Sequence, residues 1–143
     1  MDLLQRNREV MVRFQTMINT ADHNLAAELI DAQASFYALT SKEPLYGGEG
    51  YLSVVEMLRK SFSDVRWEIV DMAVEVDKVA VHWTCSGTHD GPFMGLAPTG
   101  KKFSFGCMNF YYVNEQGKIT SDVAGQGLLG LLQCLGLVPA PGA

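Results

Sequence analysis

Apolar residues recur at helical spacing in the leading part of the chain and at every second position further on. Val10, Phe14, Met17 and Ile18 form one stripe, with Arg6, Glu9, Arg13 and Gln15 on other faces, which predicts an amphipathic helix. Asp22 can cap a second helix whose apolar stripe is Leu25, Ala26, Leu29 and Ile30. The piece SFYALTSKEPLYGG then reads as irregular or briefly extended. Over residues 50–62 a third helix turns Leu52, Val55, Leu58 and Phe62 inward.

After Asp64 the period drops to two. Val65, Trp67 and Ile69 alternate on odd positions, then Val70, Met72, Val74 and Val76 on even ones. A phase slip of one residue predicts a β-bulge, which bends a sheet. A turn at Asp77 and Lys78 leads into VAVHWTCS, with Val79, Val81, Trp83 and Cys85 on one face. KFSFGCMNFYYV is apolar on both faces. Asn114 to Gly117 makes another turn, and ITSDVA starts the last strand. The segment LLGLLQCLG predicts a short helix stopped by Gly136, with Pro139 shortly after. The residues beyond Leu137 read as loose.

Helices first, then successive antiparallel strands, then a terminal helix predict an α+β domain. Bulges and glycines curve its sheet into a conical half-barrel, closed on one side by the N-terminal helices, with a pocket between the layers. One domain is expected over residues 1–143, since no repeat, low-complexity tract or linker interrupts the chain.

Composition narrows the partners. The formal charge is −5 and the Lys and Arg residues are scattered, which argues against nucleic acid. The start MDLLQRNREV lacks the order of a signal peptide, and no apolar run is long enough to span a bilayer. Cys85, Cys107 and Cys134 read as reduced thiols used as small core residues. A cytoplasmic protein is expected.

The link GTHDGPFMGLAPTGKK, residues 87–102, holds four glycines, two prolines, a histidine and an aspartate. It is too long for a tight hairpin. Glycines that take positive φ and prolines that fix the return path predict a rigid lip at the sheet's edge.

GTHDGPFMGLAPTGKKFSF and GKITSDVAGQGLLGLLQCLG resemble the SnoaL-like polyketide cyclases of the nuclear transport factor 2-like superfamily. SFSDVRWEI is similar to that family's helix-to-strand junction. The resemblance covers nearly the whole chain and is most specific in the lip and the terminal helix. It implies the cystatin-like α+β half-barrel, a homodimer formed through the sheet, and a ligand buried in the cone without metal or coenzyme. The implied activities are ring closure by intramolecular aldol chemistry and related isomerisations or rearrangements of natural-product skeletons. It also implies a carboxylate in the final strand segment, where this chain reads AGQG.

Cofactor-free chemistry of that kind needs a base with a pKa near working pH and hydrogen-bond donors in a dry cavity. The nearest acid to AGQG is Asp122, where the family often has histidine. Ser121 and Val123 point the other way, so one set lines the cavity and the other faces out. His82 lies among Ala80, Thr84 and Ser86, opposite the face of Val81 and Trp83. It is an acid/base candidate if the polar face lines the cone, and faces water or a dimer partner otherwise. His89 holds the lip by hydrogen bonds or takes part in catalysis. His23, at the start of the second helix, is expected to be exposed.

Tyr37, Asn109, Tyr111 and Tyr112 are possible pocket donors, the tyrosines being equally suited to aromatic packing. Trp83 belongs to an aromatic set with Trp67, Phe103, Phe105 and Phe110 that suits a hydrophobic ligand or a core. No paired Cys or His spacing supports a metal, and no G-x-S-x-G element supports a serine nucleophile. The expected function is a cofactor-independent cyclase or isomerase acting on a hydrophobic polyketide-like or polycyclic intermediate. Its chemistry would use Asp122 with His82 or His89, and Tyr37, Asn109, Tyr111 and Trp83 would hold the substrate. Two rival readings are a non-catalytic binder of a hydrophobic metabolite and a protein-docking module with a filled cone and a large exposed apolar patch.

Overall fold

The computed structural model describes residues 2–37, 42–125 and 127–139. Helix α1 (Leu3–Thr20) starts at Asp2, whose carboxylate accepts from the Gln5 N–H. Helix α2 (His23–Leu29) is capped by Asp22, which accepts from the Leu25 N–H at 3.0 Å. Two short strands, β1 (Ser35–Phe36) and β2 (Leu45–Tyr46), pair antiparallel within the stretch that reads as irregular. Residues 38–41 of that stretch lie outside the described residues. Helix α3 (Gly47–Ser61) crosses α2 closely at Gly48, where a Cβ would fall 2.6 Å from backbone atoms of Ala26.

Strands β3 (Arg66–Val74), β4 (Lys78–Thr88), β5 (Lys102–Val113) and β6 (Ile119–Gly125) form an antiparallel sheet in sequential order. The predicted phase slip is a bulge in β3. Ile69 pairs with Trp83 and Asp71 with His82, leaving Val70 as the extra residue. Val70 is therefore exposed, as is Val76 beyond the strand's end. Of the even positions, Met72 and Val74 pack against the core. The expectation of a continuous even-numbered face is corrected to those two residues, because a bulged residue is displaced from the pleat.

Strand β3 is an edge, and an uncovered edge leaves unpaired backbone groups. Helix α1 covers it with amide side chains. Gln15 accepts from the Ile69 N–H at 2.7 Å, and Asn19 accepts from the Trp67 N–H and donates to the Trp67 carbonyl. The fully buried Asn7 donates to the carbonyls of Glu75 and Val76 where the strand ends.

The inner sheet face packs Val79, Val81, Trp83 and Tyr111 against Phe14, Met17, Leu29 and Leu52 of the helices. A second cluster joins Phe62, Phe93 and Phe103 to Leu131 and Leu135. Leu131 belongs to helix α4 (Gly127–Cys134), and Gly136 follows at φ 77°, in the left-handed conformation that stops a helix. Residues 140–143, within the tail read as loose, lie outside the described residues. The architecture is the α+β half-barrel read from the chain, with a curved antiparallel sheet and N-terminal helices on one face.

The lip between β4 and β5 is fastened to the end of α3. The N–H groups of Asp90 and Gly91 donate to the Ser61 carbonyl, and the Ser61 hydroxyl donates to the Pro92 carbonyl at 2.6 Å. Asp90 accepts from the Ser63 N–H and from its hydroxyl, while Asp64 accepts from the Thr88 N–H and hydroxyl. The glycines serve two needs. Gly95 and Gly100 take positive φ, whereas a Cβ at Gly91 would fall 1.9 Å from the Lys60 carbonyl oxygen.

Candidate active site

Helices and sheet enclose a cavity of about 410 Å³, a size suited to a small organic ligand. Tyr51, Val54, Val55 and Leu58 of α3 form one wall. Trp83 and Cys85 of β4, Phe103, Phe105, Cys107, Asn109 and Tyr111 of β5, and Asp122 and Ala124 of β6 form the other. Leu131 of α4 closes part of the space, and Tyr37, largely exposed, stands at its rim. The cone is open rather than filled, which counts against the docking-module expectation.

Strand pairing decides which side chains enter. Tyr111 lies opposite Asp122, and Asn109 opposite Ala124, so these four share the inner face. Ser121 and Val123 belong to the outer face. Asp122 is thus the one acidic side chain lining the cavity, and no lysine, arginine or histidine lines it among the described residues. No described residue hydrogen-bonds its carboxylate. Burial alone pushes its pKa up to about 6, because a carboxylate in apolar surroundings loses hydration and has no partner to replace it. Such a group is a usable base near neutral pH.

Donors gather beside it. The Trp83 indole Nε1–H donates to the Tyr111 hydroxyl at 3.0 Å. Tyr51 lines the same cavity from α3. Burial and the Asp122 charge raise both phenols well above the usual tyrosine range, so they remain protonated donors. The Cys85 thiol is pushed up to about 12 by burial and by Cys107, whose own thiol is raised by burial. Both sulfurs are therefore inert, small apolar lining.

Of the expected catalytic residues, Asp122 alone faces the cavity. His82 is corrected to the outer face: its strand turns Val81 and Trp83 to the helices, so His82 is exposed, opposite Asp71 and Met108. It and Asp122 lie on opposite faces of one sheet and cannot act as a pair. His89 is fully buried in the lip and lines no part of the cavity. Its Nδ1 lies 2.9 Å from the Thr99 hydroxyl and accepts from the Thr99 N–H, and its ring rests on Phe62. A role for His89 in the chemistry is corrected on that geometry. His23 is exposed and bridges Glu49 and Glu56.

Asn109, Tyr111, Trp83 and Tyr37 all line the cavity as expected of binding residues, while Tyr112 is turned outward beside Lys78. Sequence reasoning missed Tyr51. It stands four residues before Val55 and seven before Leu58, so the same helical stripe carries it to the cavity wall. Gln126 of the AGQG stretch lies outside the described residues.

The sequence profile of the SnoaL-like polyketide cyclases matches residues 8–135. Among proteins of curated function none matches. Solved structures of similar fold include TsrD from Streptomyces laurentii, at 22% identity and a TM-score of 0.80, covering 94% of this chain and 97% of that one. IdmH from Streptomyces antibioticus, a candidate polyketide cyclase, is 25% identical at a TM-score of 0.76, covering 91% and 98%. A candidate polyketide cyclase from Bacillus cereus ATCC 10987 is 27% identical at a TM-score of 0.74, covering 93% and 82%. With the profile spanning most of its length and the half-barrel around an open cavity, the chain belongs to the SnoaL-like polyketide cyclase family.

Proposed function

We propose that the protein is a cofactor-independent enzyme of the cyclase or isomerase type, acting on a hydrophobic polyketide-like or polycyclic substrate. The observation that carries this reading is the lone, unpartnered carboxylate of Asp122 inside an aromatic-lined cavity. Asp122 takes a proton from a carbon next to a carbonyl and becomes the carboxylic acid. The C–H electron pair forms the enolate double bond, and the negative charge passes to the carbonyl oxygen. The enolate carbon then attacks a second carbonyl of the same molecule and closes a ring; the π pair of that C=O moves to its oxygen, which takes the proton back from the Asp122 acid. Alternatively the Asp122 acid returns the proton to another carbon, and the substrate is isomerised. Apolar walls exclude water, and Asn109, whose amide has no partner among the described residues, is placed to bind a further oxygen.

The test uses 2-tetralone, a neutral bicyclic ketone, in deuterated water. Wild-type protein should speed deuterium entry beside the carbonyl, as followed by proton NMR, and Asp122→Asn should slow it by more than about tenfold. Equal rates in the two proteins would discard Asp122 as the base.

We further propose a homodimer packed through the outer sheet face and a cytoplasmic setting. Phe110 and Val123 are direct neighbours there, with Met108 one step along, and Met108 and Val123 are 67% and 57% exposed. A patch of that kind favours a partner surface, and the family resemblance makes a second copy the occupant. The three free cysteines suit a reducing compartment. No helix among the described residues is long and apolar enough to cross a membrane.

A further inference from the structure

Among the described residues, Asp122 carries the one charge that the cavity walls present, since no lysine, arginine or histidine lines the space. Strand pairing sets its surroundings. Tyr111 stands directly across the β5–β6 ladder, and Asn109 is the diagonal neighbour on the same face. The carboxylate is largely buried, and no described residue donates a hydrogen bond to it. A neutral guest leaves that charge as it is, and an anion adds a second one beside it. A cation supplies the partner that the walls do not.

The walls suit one kind of cation. Tyr51, Phe62, Trp67, Trp83, Phe103 and Phe105 surround the space, and aromatic rings attract an ammonium group through their quadrupole, tryptophan most strongly. The same rings bury the hydrocarbon part of a guest. They offer nothing to a small, bare ammonium ion, which keeps its water shell. Asn109 brings an amide oxygen to the cavity, an acceptor for a second N–H. The two lining cysteines add no charge, because burial holds Cys85 and Cys107 as thiols. A cavity of about 410 Å³ admits a guest of a few fused rings.

We propose that the cavity binds hydrophobic amines, with the ammonium group seated on the Asp122 carboxylate and the carbon rings held by the aromatic walls. This ligand class differs from the carbonyl substrate of the proposed reaction, and the inference shares with that reading only the place of Asp122 in the cavity. A seated ammonium occupies the carboxylate oxygens that would take a proton from carbon, so the amine is held unchanged.

Both tryptophans of the chain line the cavity, so their fluorescence reports on this space. The protein is titrated with 2-aminotetralin, charged at neutral pH, and with 2-tetralol, which has the same rings and a hydroxyl in place of the amine. The amine should change the emission with an affinity more than about tenfold above that of the alcohol. Ethylamine, which has the charge without the rings, should leave the emission unchanged at the same concentrations. Asp122→Asn keeps the shape and removes the charge, and it should bind amine and alcohol about equally. Equal affinities on the wild-type protein, or no response to the amine, overturn the proposal whether or not the variant folds. So does a preference for the amine that persists in Asp122→Asn, or ethylamine binding as tightly as 2-aminotetralin. The deuterium-entry assay is independent of these readings. Undiminished exchange in Asp122→Asn would discard the base while the amine preference stood, and a missing preference would leave the exchange result untouched.

Discussion

Asp122 and Tyr111 face each other across the β5–β6 ladder with both side chains turned into the cavity. The pairing sets an acid that burial weakens beside a phenol that burial and the acid's charge keep protonated. One apolar environment raises both pKa values, the acid only to about 6 and the phenol well above the usual tyrosine range. At neutral pH the first is therefore a base and the second still a donor.

Asp122 should make the fold lose stability as pH rises. Its folded pKa, about 6, lies above the 3.8 of an unperturbed aspartate, so the folded state holds the proton more tightly than the unfolded one. The stabilisation is complete below pH 3.8 and is lost as pH rises through about 6. The charged form then costs on the order of 3 kcal/mol. Asp122→Asn should remove this slope and be the more stable protein at pH 7 to 8. Urea denaturation at a series of pH values reads both. Parallel curves for the two proteins would show that the carboxylate is solvated. Activity has the opposite trend, rising through about pH 6 as the base form appears.

Trp83→Phe keeps a ring in the core but removes the N–H that Tyr111 accepts. Losing that buried bond and part of the ring should cost about 1–3 kcal/mol. The denaturant midpoint measures it, and an unchanged midpoint would mean that the indole bond contributes nothing.

Two lip glycines should respond differently to alanine. At Gly91 the new Cβ meets the Lys60 carbonyl at 1.9 Å, which no rotamer relieves. Thermal melting should show a loss of about 1–3 kcal/mol or more as the lip parts from α3. At Gly95 nothing lies within 4 Å, and only the φ of 79° resists, so the loss should be about 1 kcal/mol. Equal, small losses would show that the lip is not seated against α3.

Charge on the outer sheet face should separate the proposed dimer. Met108→Lys and Val123→Lys leave the cavity lining untouched, since both residues point away from it. Sedimentation velocity should find a dimer for the parent protein and a monomer for the double variant, with the melting curve of the fold retained. A monomeric parent would dismiss the interface.

Much of the fold was legible because it is written in neighbouring residues. The Asp22 cap, the stop at Gly136 and the bulge in β3 each depend on a few consecutive positions. The site was legible only in part. Alternation in ITSDVA separates Asp122 from Ser121 and Val123, yet it does not tell which set meets the helices. KFSFGCMNFYYV is apolar on both faces and gives no help.

For the same reason His82 and Trp83 could not be ranked from the chain, and Tyr51 passed as one more residue of a helical stripe. Strand parity is a local property, so the amino-acid order determined which residues travel together. Which face is inside depends on α1 and α3 packing across the sheet, a contact between segments far apart in sequence. That packing turned Asp122, Tyr111 and Tyr51 toward one space and left His82 in solvent.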